Sequence, residues 1–345
     1  MACMLAGGGR EDLAPLAAMS VAEWVDHFLL IDTGESAQQT IALFRKNVPA
    51  DQLTVVEYPH TELLCANMRN FAVAEATRLE FGWALVLDTD YQFSGDPSDF
   101  VRATKADIVC CRYLGCTAIS PPLPLLLRLP ASGRWMGEPH EAFVQDSGAE
   151  KVTAPGFFVT EAPKTPEQNH AKQEGVVRVI KAQAVMSPRL YYFLGDALEH
   201  LERWAEARDA WLTCANTTTW PEERNWCYYR LAAMAYKQQD YRQAIADAYE
   251  GSRLAPEYPE FPWIRAVCLY YLGLYESAIA AADRAEALAI TQRTEIRNGW
   301  GNHLSWYEGP ADVRHYCYQD MGEPEKARDE WSNRAKLEHE RLNAQ

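Results

Sequence analysis

One short pattern, repeated along the second half of the chain, does most to limit its fold. An aromatic residue or proline is followed three residues later by alanine at Trp204/Ala207, Tyr241/Ala244, Tyr275/Ala278 and Pro324/Ala327. The alanines lie 37, 34 and 49 residues apart. A period of about 34 residues is the length of two helices and their turns, stacked on the next such pair. Alanine at the crossing lets two helices approach closely, and the aromatic fills the groove beside it. Leu194-Gly195, Leu272-Gly273 and Met321-Gly322 read as turns between paired helices, and Pro256 as the stop after a second helix. The longest interval leaves roughly 15 residues over, around 291–308, rich in Gly, Asn, His and Trp. They read as an ordered loop, either a lid or contact surface or a packed structural segment.

The first half has a different rhythm. Short apolar runs at 28–31, 53–56, 83–87 and 108–111 have the length and composition of buried strands. Residues 36–46 read as a helix with Ser36 as N-cap. Residues 63–80 read as another, with Leu64, Met68, Phe71, Ala72, Ala76 and Leu79 at helical spacing. Strands alternating with helices imply right-handed crossovers and a mostly parallel, Rossmann-like sheet. Ligands of such sheets bind at the carboxyl ends of the strands, where Asp32, Asp88 and Asp90 stand. The stretch 120–187, rich in proline and glycine, reads as the rest of this domain, with short strands near 157–160 and 176–180. The expected fold class is therefore α/β, with a domain over 1–185 followed by an all-α repeat domain over 186–345.

A length of 345 residues suits two domains. The net charge is −15, and both halves are acidic, so long-range attraction to nucleic acid or an anionic membrane is not expected. Nine cysteines, with Cys110, Cys111 and Cys116 close together, show no zinc-finger spacing and read as buried reduced thiols. The opening MACMLAGGGRED has no secretory pattern. No apolar run approaches the roughly 20 residues that span a bilayer. A cytoplasmic protein without membrane attachment is the expectation.

Chemistry is suggested first by Asp88-Thr89-Asp90. Two carboxylates one residue apart at a strand end can bracket a divalent cation, and the cation can neutralise a diphosphate leaving group. Asp-x-Asp also arises by chance in loops. Arg69 is a fixed fork of donors suited to phosphate, or else a solvated arginine paired with Glu75. Asp32 can accept from a ribose or base, or serve as a turn residue. His140-Glu141 follows Gly137 and Pro139, which permit irregular backbone. Glu141 could act as general base for an acceptor hydroxyl, with Glu138 as a competitor. The pair could also be a surface charge pair.

Four segments in order resemble family 2-like glycosyltransferases of the GT-A fold: VDHFLLIDTGESAQQT at 25–40, MRNFAVAEA at 68–76, WALVLDTDY at 83–91 and WMGEPHEAF at 135–143. The helical half is similar to the tetratricopeptide extension carried by one branch of that family. The resemblance implies a metal-dependent, inverting sugar transfer from a nucleotide-diphosphate donor. It implies that Asp32, Thr33, Gly34, Arg69, Asp88 and Thr89 hold the nucleotide-sugar. Asp90, with Asp88 and His140, would hold Mn²⁺ or Mg²⁺, and Glu141 would be the catalytic base. The acceptor is left open among a protein or peptide, a glycan and a modified DNA base, and the repeats could also form a homodimer. Two departures stand out. Gly7–Gly9 and Arg10 replace the family's usual opening motif, as a phosphate-approaching backbone or a plain turn. Tyr91 replaces an acidic residue. A second reading is a catalytically degenerate domain kept as a scaffold, with the repeats as the working surface. A third, a nucleotidyltransferase, is met only superficially by the GGGR at 7–10.

Overall fold

The computed structural model describes residues 2–6, 14–34, 37–59, 65–114, 122–137, 141–292 and 302–344. Two compact units make up the chain: Met1–Gly115 with Ser120–Glu167, and Cys116–Ile119 with Gln168–Gln345. The architecture is mixed α/β with a helical-repeat portion.

The first unit runs β1 (Ala2–Ala6), α1 (Ala14–Met19), β2 (Phe28–Asp32), α2 (Gln38–Asn47), β3 (Leu53–Glu57), α3 (Cys65–Arg78), β4 (Trp83–Leu87), β5 (Tyr91–Ser94), α4 (Ser98–Ala103), β6 (Ile108–Tyr113), β7 (Leu123–Arg128), β8 (Gly133–Met136), β9 (Ala142–Gln145) and β10 (Lys151–Glu161). Eight strands form one sheet in the order β3-β2-β1-β4-β7-β6-β10-β5, and β8 and β9 form a separate hairpin sheet. The β3-β2-β1-β4 half is parallel. The other half is not: β7 lies antiparallel between β4 and β6, and β5 antiparallel to β10.

A mostly parallel sheet was expected, and the inserted β7 is the main departure. Its apolar run Leu125–Leu127 is continuous because a strand flanked on both sides and covered on both faces buries every residue. The central β1 was missed, since nothing in MACMLA alternates or repeats. Residues 157–160 belong to the longer β10. The expected strand near 176–180 is instead the end of a helix, in which Val177 and Ile180, one turn apart, are buried together. Ser36, Gly7–Gly9, Glu138 and His140 lie outside the described residues.

Alternation along the strands separates two cores. Leu30, Leu85, Leu87, Val109 and Cys111 face one side, under α1 and α2. Leu29, Ile31, Ala84, Val86, Ile108 and Cys110 face the other, against α3 and Trp135. Cys110, Cys111, Cys214, Cys227, Cys268 and Cys317 are buried free thiols. Burial pushes the Cys110 thiol up to about 11 and the Cys111 thiol to about 12.

The second unit is helical: α5 (Pro166–Lys181), α6 (Pro188–His200), α7 (Trp204–Thr217), α8 (Pro221–Lys237), α9 (Tyr241–Leu254), α10 (Glu260–Tyr271), α11 (Tyr275–Gln292), α12 (His303–Trp306), α13 (Gly309–Asp320) and α14 (Pro324–Ala344). Helices α6/α7, α8/α9, α10/α11 and α13/α14 are the pairs. Ala207, Ala244 and Ala278 are fully buried at their crossings, and Ala327 nearly so. The turn of each pair has one left-handed residue: Glu202, Gln239, Gly273 and Gly322. Two of the expected glycine turns are therefore glycine in fact, and two are built on side chains that tolerate the conformation at a cost. Gly195 is not at a turn. It lies inside α6, where a Cβ would come 2.7 Å from the Trp211 ring. Of the 291–308 stretch, the described part is packed: α12 carries Trp306, which is buried and donates to Glu260 Oε1 at 2.7 Å.

Candidate functional site

At the strand ends of the first unit, α3 and the β8–β9 hairpin bring together most of the residues singled out from sequence. Met68, Ala72 and Ala76 hold α3 to the sheet. That face leaves Arg69 and Asn70 pointing toward the hairpin. Asn70 donates to the Trp135 carbonyl and accepts from the Trp135 N–H, both at 2.8 Å, which fixes β8 against α3. The Arg69 guanidinium then lies 4.6 Å from the centre of the Trp135 ring. It donates to both carboxylate oxygens of Asp88, at 2.9 and 2.8 Å, and pairs with Glu141 at 2.7 Å. Glu75 does not take Arg69; it pairs with Arg78.

Asp90 is held differently. Its carboxylate pairs with Lys164 at 2.8 Å, and Lys164 reaches Glu161 at the same distance. Burial works against the Lys164 ammonium, but hydrogen bonds and charge from Asp90 and Glu161 outweigh it and raise its pKa. Tyr91 follows Asp90 and pairs with Glu161 in the register of β5 and β10. Burial raises its hydroxyl far above the ordinary range, and the charge of Asp88 adds to the shift. Sequence reasoning found neither Lys164 nor Glu161, because nothing in their spacing ties them to Asp90.

Asp32 is a turn residue. Its Oδ1 accepts from the Gly34 N–H at 2.9 Å, and Gln38 donates to both its oxygens. Gly34 takes a φ of 103°, a conformation that glycine supplies without strain. Thr33 and Thr89 lie on the same loops, after β2 and β4. Arg69 is thus in direct contact with both Asp88 and Glu141. Asp90 pairs with a different cation, and Asp32 is engaged locally.

Of the three residues expected to hold a metal, Asp88 and Asp90 are engaged by cations and His140 lies outside the described residues. Asp88 gives both oxygens to Arg69, and Asp90 is matched by Lys164. Among the described residues no three of His, Cys, Asp or Glu converge as a set able to hold an ion.

In the second unit, aromatic side chains gather along the edge formed by the turns of the helix pairs. Tyr241 and Tyr271, from neighbouring pairs, stack with ring planes 7° apart and centres 5.1 Å apart. Tyr236 lies 5.9 Å from Tyr271, and Tyr270 contacts Tyr271, Tyr275 and Tyr316 within 6.2 Å. His315 links Tyr316 to Trp331. Tyr271 is 52% exposed, Tyr316 44% and Trp331 46%, and Leu272 and Leu274 beside them are also exposed. A cleft of about 520 Å³ adjoins Asp240, lined also by Trp204, Arg208, Met234 and Gln243. Among the described residues no helix is long and apolar enough to cross a membrane.

No family model matches the chain, that of the glycosyltransferases included, and no curated protein matches it. The solved structures that it matches include a crystal structure of MamA. That match has 14% identity, 52% of this chain covered and 98% of the other, and a TM-score of 0.39. MamA from Desulfovibrio magneticus RS-1 matches at 15% identity, over 51% and 92% of the two chains, with a TM-score of 0.38. BtubC (BKLC) from P. vanneervenii matches at 14% identity, over 50% and 74%, with a TM-score of 0.39. The resemblance to family 2-like glycosyltransferases is therefore corrected: short segments in order did not amount to membership. The expected sugar transfer and Asp-x-Asp metal motif fall with it.

Proposed function

We propose that this protein is a non-catalytic interaction platform whose helical repeats present the working surface. One observation carries the reading: the exposed, contiguous aromatic and aliphatic edge that includes Tyr271, Leu272, Leu274, Tyr316 and Trp331. Contiguous exposed apolar surface, rimmed by polar groups, is costly to leave in water and marks protein contacts. Tyrosine and tryptophan give such contacts large area at low entropic cost. The strand-end cluster supports the same reading from the other side, because its carboxylates are already matched by Arg69 and Lys164. The partner is a second protein or a second copy of this chain. Sedimentation of the purified chain distinguishes the two.

The test is quantitative co-purification from the cells that make the protein. Wild type is compared with Tyr271→Ala/Tyr316→Ala and with Asp90→Asn. The platform reading expects retained proteins to be lost from the first variant and kept by the second. Retention that survives the edge variant and disappears with Asp90→Asn would reverse it.

A further inference from the structure

The turn edge has a charge pattern that narrows its partner, an inference that rests on the platform reading. Elsewhere in the repeats, buried carboxylates are matched to cations: Glu199 to Arg230 and Lys237, Glu223 to Arg189, Asp247 to Arg208, and Glu308 to Arg341. At the edge this matching is incomplete. Glu276 follows Tyr275 and Asp320 ends α13, and neither has an ion pair among the described residues; Asp240, before Tyr241, instead caps α9 by accepting from the Gln243 N–H at 3.0 Å and shares a cleft with Arg208. Asp320 hydrogen-bonds Tyr270, whose hydroxyl is pushed up to about 12 by burial and then by that carboxylate. Tyr270 in turn lies 6.0 Å from Tyr275, the residue before Glu276. Lys326 is already taken by Glu323. Against Arg242, next to Tyr241 in sequence, the balance remains negative.

We infer that this edge docks an arginine-bearing segment of a partner protein, the guanidinium groups stacking on the exposed tyrosine rings and pairing with Glu276 and Asp320. Two requirements converge on arginine. Ring faces attract a cation, and a planar, weakly hydrated guanidinium covers a ring while its edge donors still reach a carboxylate. A lysine ammonium satisfies the charge but not the stacking. The chain uses the same chemistry internally, where the Arg189 guanidinium lies within 5.5 Å of the Tyr192, Phe193 and Trp220 ring centres and also pairs with Glu223.

The probe is a short labelled peptide alternating arginine and glycine, with lysine and glutamate counterparts, titrated into the full chain at physiological salt. The arginine peptide is expected to bind about fivefold or more tightly than the lysine peptide, and the glutamate peptide not at all. Tyr271→Ala and Asp320→Asn should each weaken arginine-peptide binding about fivefold, and Tyr271→Phe should leave it nearly intact. Circular dichroism of each variant checks that it remains folded; the exposed position of Tyr271 favours that. Equal binding of arginine and lysine peptides, indifferent to Tyr271→Ala, would mean only attraction to a chain of net charge −15, and would overturn the inference. So would no arginine-peptide binding. If the peptide fails while co-purification still depends on the edge, the platform stands and only this partner class falls. If both fail, both fall.

Discussion

The strand ends of the first unit and the turn edge of the repeats both gather tyrosines and carboxylates, and they treat them in opposite ways. At the strand ends, Arg69 is shared by Asp88 and Glu141 and lies over Trp135, while Lys164 is shared by Asp90 and Glu161. Arg69 and Glu141 have side chains only 10% exposed. At the turn edge, Glu276 and Asp320 have no ion pair among the described residues, beside rings that are half exposed. A buried charge needs a partner inside the molecule, because desolvation costs several kcal/mol per ion. A charge at an exposed edge does not. Matched charges inside mark what the fold requires, and unmatched charges beside exposed rings mark what is offered outward.

The largest expected effect tests the closed side. Arg69→Ala leaves Asp88 and Glu141 without their shared cation, and should cost about 3 kcal/mol or more in urea unfolding. A loss under about 1 kcal/mol, the range of an exposed pair, would mean that the cluster is not closed and that the contrast with the edge is false.

The next effect reads the same cluster by pH. Tyr91 and Lys164 both have raised pKa values in the folded protein. A group whose folded pKa exceeds its unfolded value contributes stability fully below the unfolded pKa and loses it as pH rises. The unfolded references are 10.0 for tyrosine and 10.5 for lysine. Stability should therefore hold up to about pH 10 and decline above it. Tyr91→Phe should flatten that decline in thermal melts across the alkaline range. An unchanged alkaline limb would mean that the Tyr91 hydroxyl is not buried.

The smallest effect sharpens the repeat side. Glu202 and Gln239 occupy the left-handed turn position that Gly273 and Gly322 occupy in the other pairs. Gln239→Gly should stabilise the chain by about 0.5–1 kcal/mol in denaturant unfolding, and Gly273→Ala should lose about as much. A loss from Gln239→Gly would mean that the glutamine side chain, rather than the backbone, secures this turn.

Much of the fold was legible because it repeats or alternates. Ala207, Ala244, Ala278 and Ala327 marked the helix crossings, and 28–31, 53–56, 83–87 and 108–111 marked strands of the sheet. What was illegible depended on long-range pairing. The antiparallel insertion of β7 is set by its neighbours and not by Leu125–Leu127 themselves. Val176–Ile180 has the β-branched content of a strand, yet packing of Val177 and Ile180 on one helical face decided it. At the site, the contact of Arg69 with Asp88 was within reach of a reading that had placed both beside one ligand. Their pairing with each other was not. The segments that suggested a transferase are strand ends and a helix that hold a charged cluster together. A local pattern of Asp, Arg and Glu looks the same whether it faces a ligand or neutralises itself. The aromatic edge was half visible in the tyrosines of the repeat pattern, but only stacking across neighbouring pairs joins them into one surface.

The most direct test of the central claim is hydrogen–deuterium exchange of the full chain, alone and with its purified co-isolated partner. Binding through the repeats predicts added protection at residues 236–241, 270–276 and 316–331, with residues 69–91 and 141–164 unchanged. Protection confined to 69–91 and 141–164, with the turn edge exchanging as before, would contradict it.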